Sequence, residues 1–339
     1  MGVGPSTVTG PVPGTGTGGD RPPVSVVVPV RDRRALLVGL LDALAVQSFA
    51  GAELIVVDDG STDGSARAAE GRPGVRVLRT PGVGAVAARR IGVQAARAPV
   101  LAFTDSDCVP EPAWLAAGME AIAAGADLVQ GATYPIRAVR PRERSVAVGR
   151  EDGLYATCNL FCRREAFERA GGFDEDAGRR LGFRPGRVLG GTGFGEDTLL
   201  GWAVRRAGRA VFEPRAVVRH HVFPPSPADT ARRAYAVGAF PALVREVPEL
   251  RRTLLVDGVF LGSRSRLPLY AAALLALGRR VRLAGAVATG WALWRAAAVL
   301  AAEPSNRRRL AVVPLELASE LATAASLVAG SARARSVVL

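Results

Sequence analysis

The sequence predicts an α/β fold: a doubly wound, mostly parallel sheet flanked by helices, with a basic helical region after it. Three observations carry this. β-branched runs alternate with helical patterns from residue 24 onward, two of those runs end in acidic clusters, and long apolar stretches appear only in the last third of the chain. At 339 residues the chain has room for about two structural units and a full core.

The elements follow in order. Residues 1–23 are Gly, Pro, Thr and Val without an apolar run, which predicts a disordered tail and no signal peptide. Gly14, Gly16 and Gly19 spell GxGxxG there, but no strand precedes them. Val24–Val30 predicts a buried strand, and Leu36, Leu37, Leu40, Leu41 and Leu44 mark one face of a helix. Glu53–Asp58 predicts a second strand, closed by turn chemistry over Asp59–Gly64. Val75–Leu78 is a third strand, 84–97 a helix, and Val100–Phe103 a fourth strand ending in Thr104-Asp105-Ser106-Asp107. The stretch 133–195 has little periodicity and several glycines, so it predicts loop. Residues 196–208 pattern as helix, and Ala210–Phe212 and Ala216–His220 as two short strands. From about 229 the chain divides into apolar segments at Leu267–Leu277, Leu283–Ala302 and Leu310–Gly330, with arginines between them.

Charge is uneven. All 44 basic residues are arginine, against 31 Asp and Glu, a net of +13. Residues 232–339 hold 16 Arg and 6 acidic residues, so most of the excess lies there and predicts an anionic surface as partner. Cys108, Cys158 and Cys162 are too few for a disulfide framework and lack zinc-site spacing.

In an open parallel sheet, ligands bind beyond the carboxyl ends of the strands. Acidic clusters there repel one another unless a cation or a donor-rich ligand joins them. An Asp-x-Asp pair suits a hard divalent cation that also carries phosphate oxygens. Glu196 and Asp197 open a helix about 100° apart, so one of them can face a reacting group. His220 and His221 are neighbours on a strand and point to opposite faces.

Taken in order, Val24–Val30, Glu53–Asp63, Ala87-Ala88-Arg89, Phe103–Asp107, Arg164–Phe167 with Gly171–Asp174, Gly195-Glu196-Asp197 and Pro214–His220 resemble the family 2 glycosyltransferases of the GT-A fold. The resemblance covers about 24–221 and implies a catalytic domain over 24–228. It implies that Pro29 and Val30 form the rim for a donor base, Asp59 bonds the nucleobase, Arg89 lies by the nucleotide, Asp105 faces the ribose and Asn159 contacts the sugar. Asp107 is then the metal ligand with His220 as a further one, and Asp197 the catalytic base with Glu196 as the alternative. Arg31-Asp32 and Arg90 depart from the family's pattern.

The implied reaction is inverting transfer from a nucleoside-diphosphate sugar to an acceptor hydroxyl, with Mg²⁺ or Mn²⁺, in cell-envelope or surface glycan or glycolipid synthesis. Single displacement needs a base and charge stabilisation for the leaving diphosphate. Rival readings are a nicotinamide-dependent oxidoreductase on the Gly82-x-Gly84 loop, a nucleotidyltransferase, and a non-enzymatic lipid- or nucleic-acid-binding module. Nucleic acid is not an expected partner, because the acidic motifs repel a phosphate backbone. Leu283–Ala302 is long enough to cross a hydrocarbon core of ~30 Å. Residues 229–339 are therefore expected to attach to the cytoplasmic face of the membrane, with arginines on anionic lipid, near a lipid-linked or glycan acceptor.

Overall fold

The structure, a computed structural model, describes residues 21–140, 142–184, 193–302 and 309–339. Most of the expected tail, including its GxGxxG, and Gly190–Thr192 lie outside those residues.

The sheet contains β1 (Val24–Val30), β2 (Glu53–Asp58), β3 (Val75–Arg79), β4 (Val100–Thr104), β5 (Cys108–Pro110), β6 (Leu128–Pro135), β7 (Asn159–Arg163) and β8 (Ala210–His220). Its order is β3-β2-β1-β4-β7-β6-β8-β5. The first four strands in that order are parallel, and β7 then runs antiparallel between β4 and β6. β6 and β8 are parallel again, and β5 closes the edge antiparallel to β8.

β1 is buried along its whole length, which explains its unbroken apolar run. Alternate side chains feed two cores. Val27, with Ile55, Leu101, Phe103 and Leu160, packs on one face under Phe167, Phe173 and Leu200. Val26 and Val28, with Val56, Ala102 and Phe161, pack on the other under Leu37, Leu40 and Trp114. The first helix, Arg34–Ala45, buries Leu37, Leu40, Leu41 and Leu44, while Leu36 is only half-buried.

Three parts differ from the sequence reading. The interval 133–195 is not uniformly loop: it holds the end of β6, all of β7, and helices at Arg164–Arg169 and Ala177–Arg180. β5, β6 and the helix Trp114–Ala123 were not expected. The two short strands are one, β8, whose pairing with β6 jumps from Gly131↔Glu213 to Ala132↔Val217. Pro214 sits in that irregularity, where a missing N–H costs no ladder bond.

After β8 come helices Pro227–Ala236, Phe240–Glu246 and Leu250–Thr253, then Leu267–Leu277, Val281–Ala302 and Arg309–Ala334. The change in composition near 229 is not a break in packing, since Leu243, Val244, Leu250 and Leu327 share the core of the sheet. The last helix meets the turn at 237–239 closely: a Cβ on Gly330 would lie 2.1 Å from the Gly238 carbonyl oxygen. Val281–Ala301 and Val312–Ala334 are both long and apolar enough to cross a bilayer, and each is only 11% buried within the protein. Leu274 and Leu277 stand 70% and 81% exposed beside them.

Candidate active site at the carboxyl edge of the sheet

The loops after β1, β2 and β3 are tied to one another. Asp59, 4% exposed, accepts hydrogen bonds from Thr80 Oγ1 (2.6 Å), the Val83 N–H (2.6 Å) and the Gly84 N–H (2.8 Å). Asp32, in the left-handed region at φ 48°, accepts from the Thr62 N–H at 2.7 Å, and its own N–H donates to Ser61 Oγ. Gly60, at φ 76°, has the Gly82 N 3.2 Å from where a Cβ would stand, so only glycine fits the crossing. The Arg31 guanidinium lies against Gly82 at the mouth of this crossing.

In the next sector Arg89 is the charge hub. Its buried guanidinium donates to Asp105 Oδ1 at 2.5 Å and faces Glu196 and Asp197. Burial opposes its charge, but Asp105 and Glu196 outweigh burial and hold the guanidinium protonated. Glu196 and Asp197 begin the helix Glu196–Ala207, whose N-cap Gly195 is left-handed at φ 81°. Burial raises the Glu196 carboxyl despite Arg89, and burial with the Glu196 charge pushes Asp197 up to about 7. Desolvation therefore outweighs the helix N-terminus, which acts in the opposite direction. The two carboxyls differ in freedom. Glu196 is buried, with Oε2 unpartnered among the described residues and Oε1 in the space that a Cβ on Gly193 would fill. Asp197 is part-exposed, with Oδ1 accepting from the Thr198 N–H at 2.7 Å.

The third sector joins β5 and β8. Cys108 pairs with His220 in the ladder, and the His221 N–H donates to the Asp107 carbonyl, so Asp107 and His220 are held side by side. His220 Nδ1 lies 2.7 Å from the His221 carbonyl, which can only accept, so this nitrogen carries the proton. Nε2 of a neutral ring is then a lone pair, and it faces Asp107 Oδ1 at 3.6 Å. Two such groups are joined either by a metal ion or by a proton on Nε2. Cys108 lies within reach of both, but its hydrogen bond with Cys158 and its burial hold the thiol well above its ordinary range. Asp107 and His220 remain as an oxygen–nitrogen pair that fits Mn²⁺ or Mg²⁺ better than a thiolate-bound metal.

Around this pair lie residues that the sequence did not single out. Arg33 forms an ion pair with Asp107 and stacks on Phe223 at 4.9 Å. Arg144 stacks on the same ring at 4.5 Å and pairs with Asp229 at 3.0 Å. Ser145 Oγ stands 3.2 Å from His220 Nδ1. An arginine just beyond Asp32 is the one linear hint, whereas Arg144, Ser145 and Phe223 lie in sequence without a motif.

The structure thus gathers Arg89, Asp105, Glu196 and Asp197 in one group, and Asp107 with His220 beside it. Pro29 and Val30 end β1 at the same edge, both buried, with the Val30 carbonyl accepting the Asp59 N–H. Asn159 is a correction. It is fully buried; Nδ2 donates to the Ala132 and Ala216 carbonyls, and Oδ1 accepts from Trp114 Nε1, each at 2.8 Å. It stitches β6, β8 and the Trp114 helix, and both amide protons are committed away from any sugar. The oxidoreductase reading also fails on geometry. The N–H groups of the Gly82-x-Gly84 loop that a pyrophosphate would need already bind Asp59.

A helix-flanked, mostly parallel sheet with acidic side chains at its carboxyl edge and an antiparallel extension is the GT-A fold. The fold is similar to that of the mannosyltransferase PcManGT from Pyrobaculum calidifontis, solved with GDP-Man and Mn²⁺, at a TM-score of 0.51 and 20% identity over 93% of this chain and 88% of that one. Residues 25–173 match the family described as Glycosyl transferase family 2. The chain is 30% identical over 171 residues to glycosyltransferase AglE of Haloferax volcanii, covering 45% of this chain and 56% of that protein. It is 29% identical over 260 residues to the pre-mycofactocin glycosyltransferase of Mycobacterium tuberculosis, covering 69% and 50%. The chain spans about half the length of these curated relatives. Over residues 25–173 the chain is therefore similar to glycosyltransferase family 2.

Proposed function

We propose that the protein is a metal-dependent, inverting glycosyltransferase that moves a sugar from a nucleoside-diphosphate sugar to an acceptor hydroxyl. The observation that carries this reading is the adjacency of two unlike acidic groups at one sheet edge: Asp107 with a metal-ready His220, and Asp197 held near neutral pKa beside the Arg89 hub. The activities named for the relatives and the GDP-Man and Mn²⁺ of the similar mannosyltransferase support it.

In this mechanism Asp59, whose three bonds within the chain take it from the nucleobase contact expected of it, anchors the Thr80–Gly84 loop against which the nucleoside lies, with Arg31 at its mouth. Arg89 and Asp105 fix the ribose side. Asp107 and His220 would hold the divalent cation, which when bound supplies Lewis-acid stabilisation to the departing diphosphate. Arg33 and Arg144 add fixed positive charge beside it. Asp197, part-exposed and with no hydrogen bond to Oδ2 among the described residues, takes the proton of the acceptor hydroxyl; Glu196, buried, sets its proton affinity. The acceptor is a lipid-linked or surface glycan. The apolar helices after 266 attach the enzyme to the cytoplasmic membrane face, where such an acceptor lies. The chain is incubated with UDP-, GDP- and dTDP-sugars, with and without Mn²⁺, and released nucleotide is read. Release from none of them, or release undiminished by chelator, ends the respective part of the proposal.

A further inference from the structure

Away from the sheet edge, a second charged cluster lies among the last three helices. Glu320 accepts from Arg266 Nε at 2.8 Å through one oxygen and from Arg295 Nη2 at 3.0 Å through the other. One turn away on the same helix, Glu316 pairs with Arg142 at 3.3 Å. Three guanidiniums thus meet two carboxylates, leaving one positive charge unmatched among the described residues. Two donors also lack partners. Arg295 Nε and the Tyr270 hydroxyl are both out of contact with solvent and have no hydrogen-bond partner among the described residues. Tyr270 lies four residues after Arg266, and its charged neighbours are Arg266 and Glu320. Trp291 closes the cluster, its Nε1 donating to the Ser265 carbonyl at 3.0 Å.

Two buried, unused donors and an uncompensated cation specify an anion with several acceptor oxygens. The position specifies its source. The Arg142, Leu261 and Ser265 contacts mark where the helices leave the globular part of the chain. Beyond them Leu274, Leu277, Val281 and Leu283 stand exposed. That boundary is the level of lipid headgroups if these helices enter a bilayer, and a net charge at that depth is expensive unless an anion joins it.

We propose that Arg266, Arg295 and Tyr270 form a binding site for the phosphate of an anionic lipid headgroup. The proposal rests on the membrane attachment inferred above and does not depend on the sugar-transfer chemistry.

Two conservative variants test it. Arg295→Lys keeps the charge on Glu320 but removes the Nε donor, and Tyr270→Phe removes a hydroxyl that has no partner, so neither should unfold the protein. Full-length protein is floated with phosphatidylcholine vesicles and with vesicles containing phosphatidylglycerol. Its thermal midpoint is read in neutral detergent with either lipid added, or with inorganic phosphate. The expected result is flotation with both vesicle types, a rise in midpoint of several degrees with phosphatidylglycerol alone, and loss of at least half that rise in each variant. Failure to float with any vesicle refutes the membrane attachment itself. Flotation with an equal rise for both lipids, or a full rise retained in both variants, refutes the phosphate site. A rise as large with inorganic phosphate refutes the lipid as its source.

Discussion

Asp59 and Asp107 lie in the first and third sectors of one sheet edge, and the protein treats them differently. Three donors of its own chain satisfy Asp59, with distances of 2.6–2.8 Å. Asp107 faces His220 Nε2 at 3.6 Å on one oxygen and the half-buried Arg33 guanidinium on the other. An acidic cluster at a strand end is therefore a brace where backbone N–H groups close on it, and stays open to a further partner where only side chains face it. The difference lies in the partners, not in the aspartates.

The largest effect should come from the open sector. Asp107→Ala removes one of the two metal-ready ligands, so turnover should fall by about 10³-fold or more while the thermal midpoint holds. Steady-state nucleotide release with Mn²⁺ checks both halves. Next, Asp197→Asn should lower turnover by about 10²–10⁴-fold with nucleoside-diphosphate affinity kept, as calorimetry would show. If affinity falls in step with turnover, the residue binds donor and is not the base.

The closed sector should answer in stability. Asp59→Ala leaves the Val83 and Gly84 N–H groups unsatisfied and should cost about 2–4 kcal/mol in denaturant unfolding. Asp59→Asn, which keeps an acceptor, should recover part of that. A neutral result for Asp59→Ala would erase the contrast drawn above. The smallest effect is a shift in pH. Burial and then the Glu196 charge raise Asp197, so wild-type turnover should decline as pH falls through about 7. Glu196→Gln deletes a like charge, so the acid limb should move to lower pH, with plateau turnover changed by less than about tenfold. A limb that stays in place separates Glu196 from the base.

Legibility followed burial and period. β1, β2 and β4 were readable because each is an apolar run ended by a turn or acidic signal. β6 was not: Gln130 and Gly131 interrupt it, and both belong there for reasons visible only in three dimensions. Gln130 donates to the Asn159 carbonyl, and Gly131 leaves room for the Asn159 amide, which lies 2.3 Å from where a Cβ would stand. Asn159 misled for the same cause, since a polar residue in a motif-bearing region reads as a ligand contact until its three partners are seen. The acidic residues and His220 were legible because they follow strand ends in sequence. Arg33, Arg144 with Ser145, and Phe223 reach the site from three separate loops, and neither spacing nor period records that convergence.

The pairing of Cys108 with His220 across β5 and β8 has an implication for redesign. The separation between positions 107 and 220 is a property of two hydrogen-bonded backbones, not of the side chains they carry. The ladder works as a socket of fixed gauge, into which different ligands can be fitted without retooling the fold. His220→Asp would present an all-oxygen pair at the same gauge and move ion preference from softer metals toward Mg²⁺. On this scaffold a single substitution at position 220 is then enough to change the preferred ion, leaving the rest of the sheet untouched.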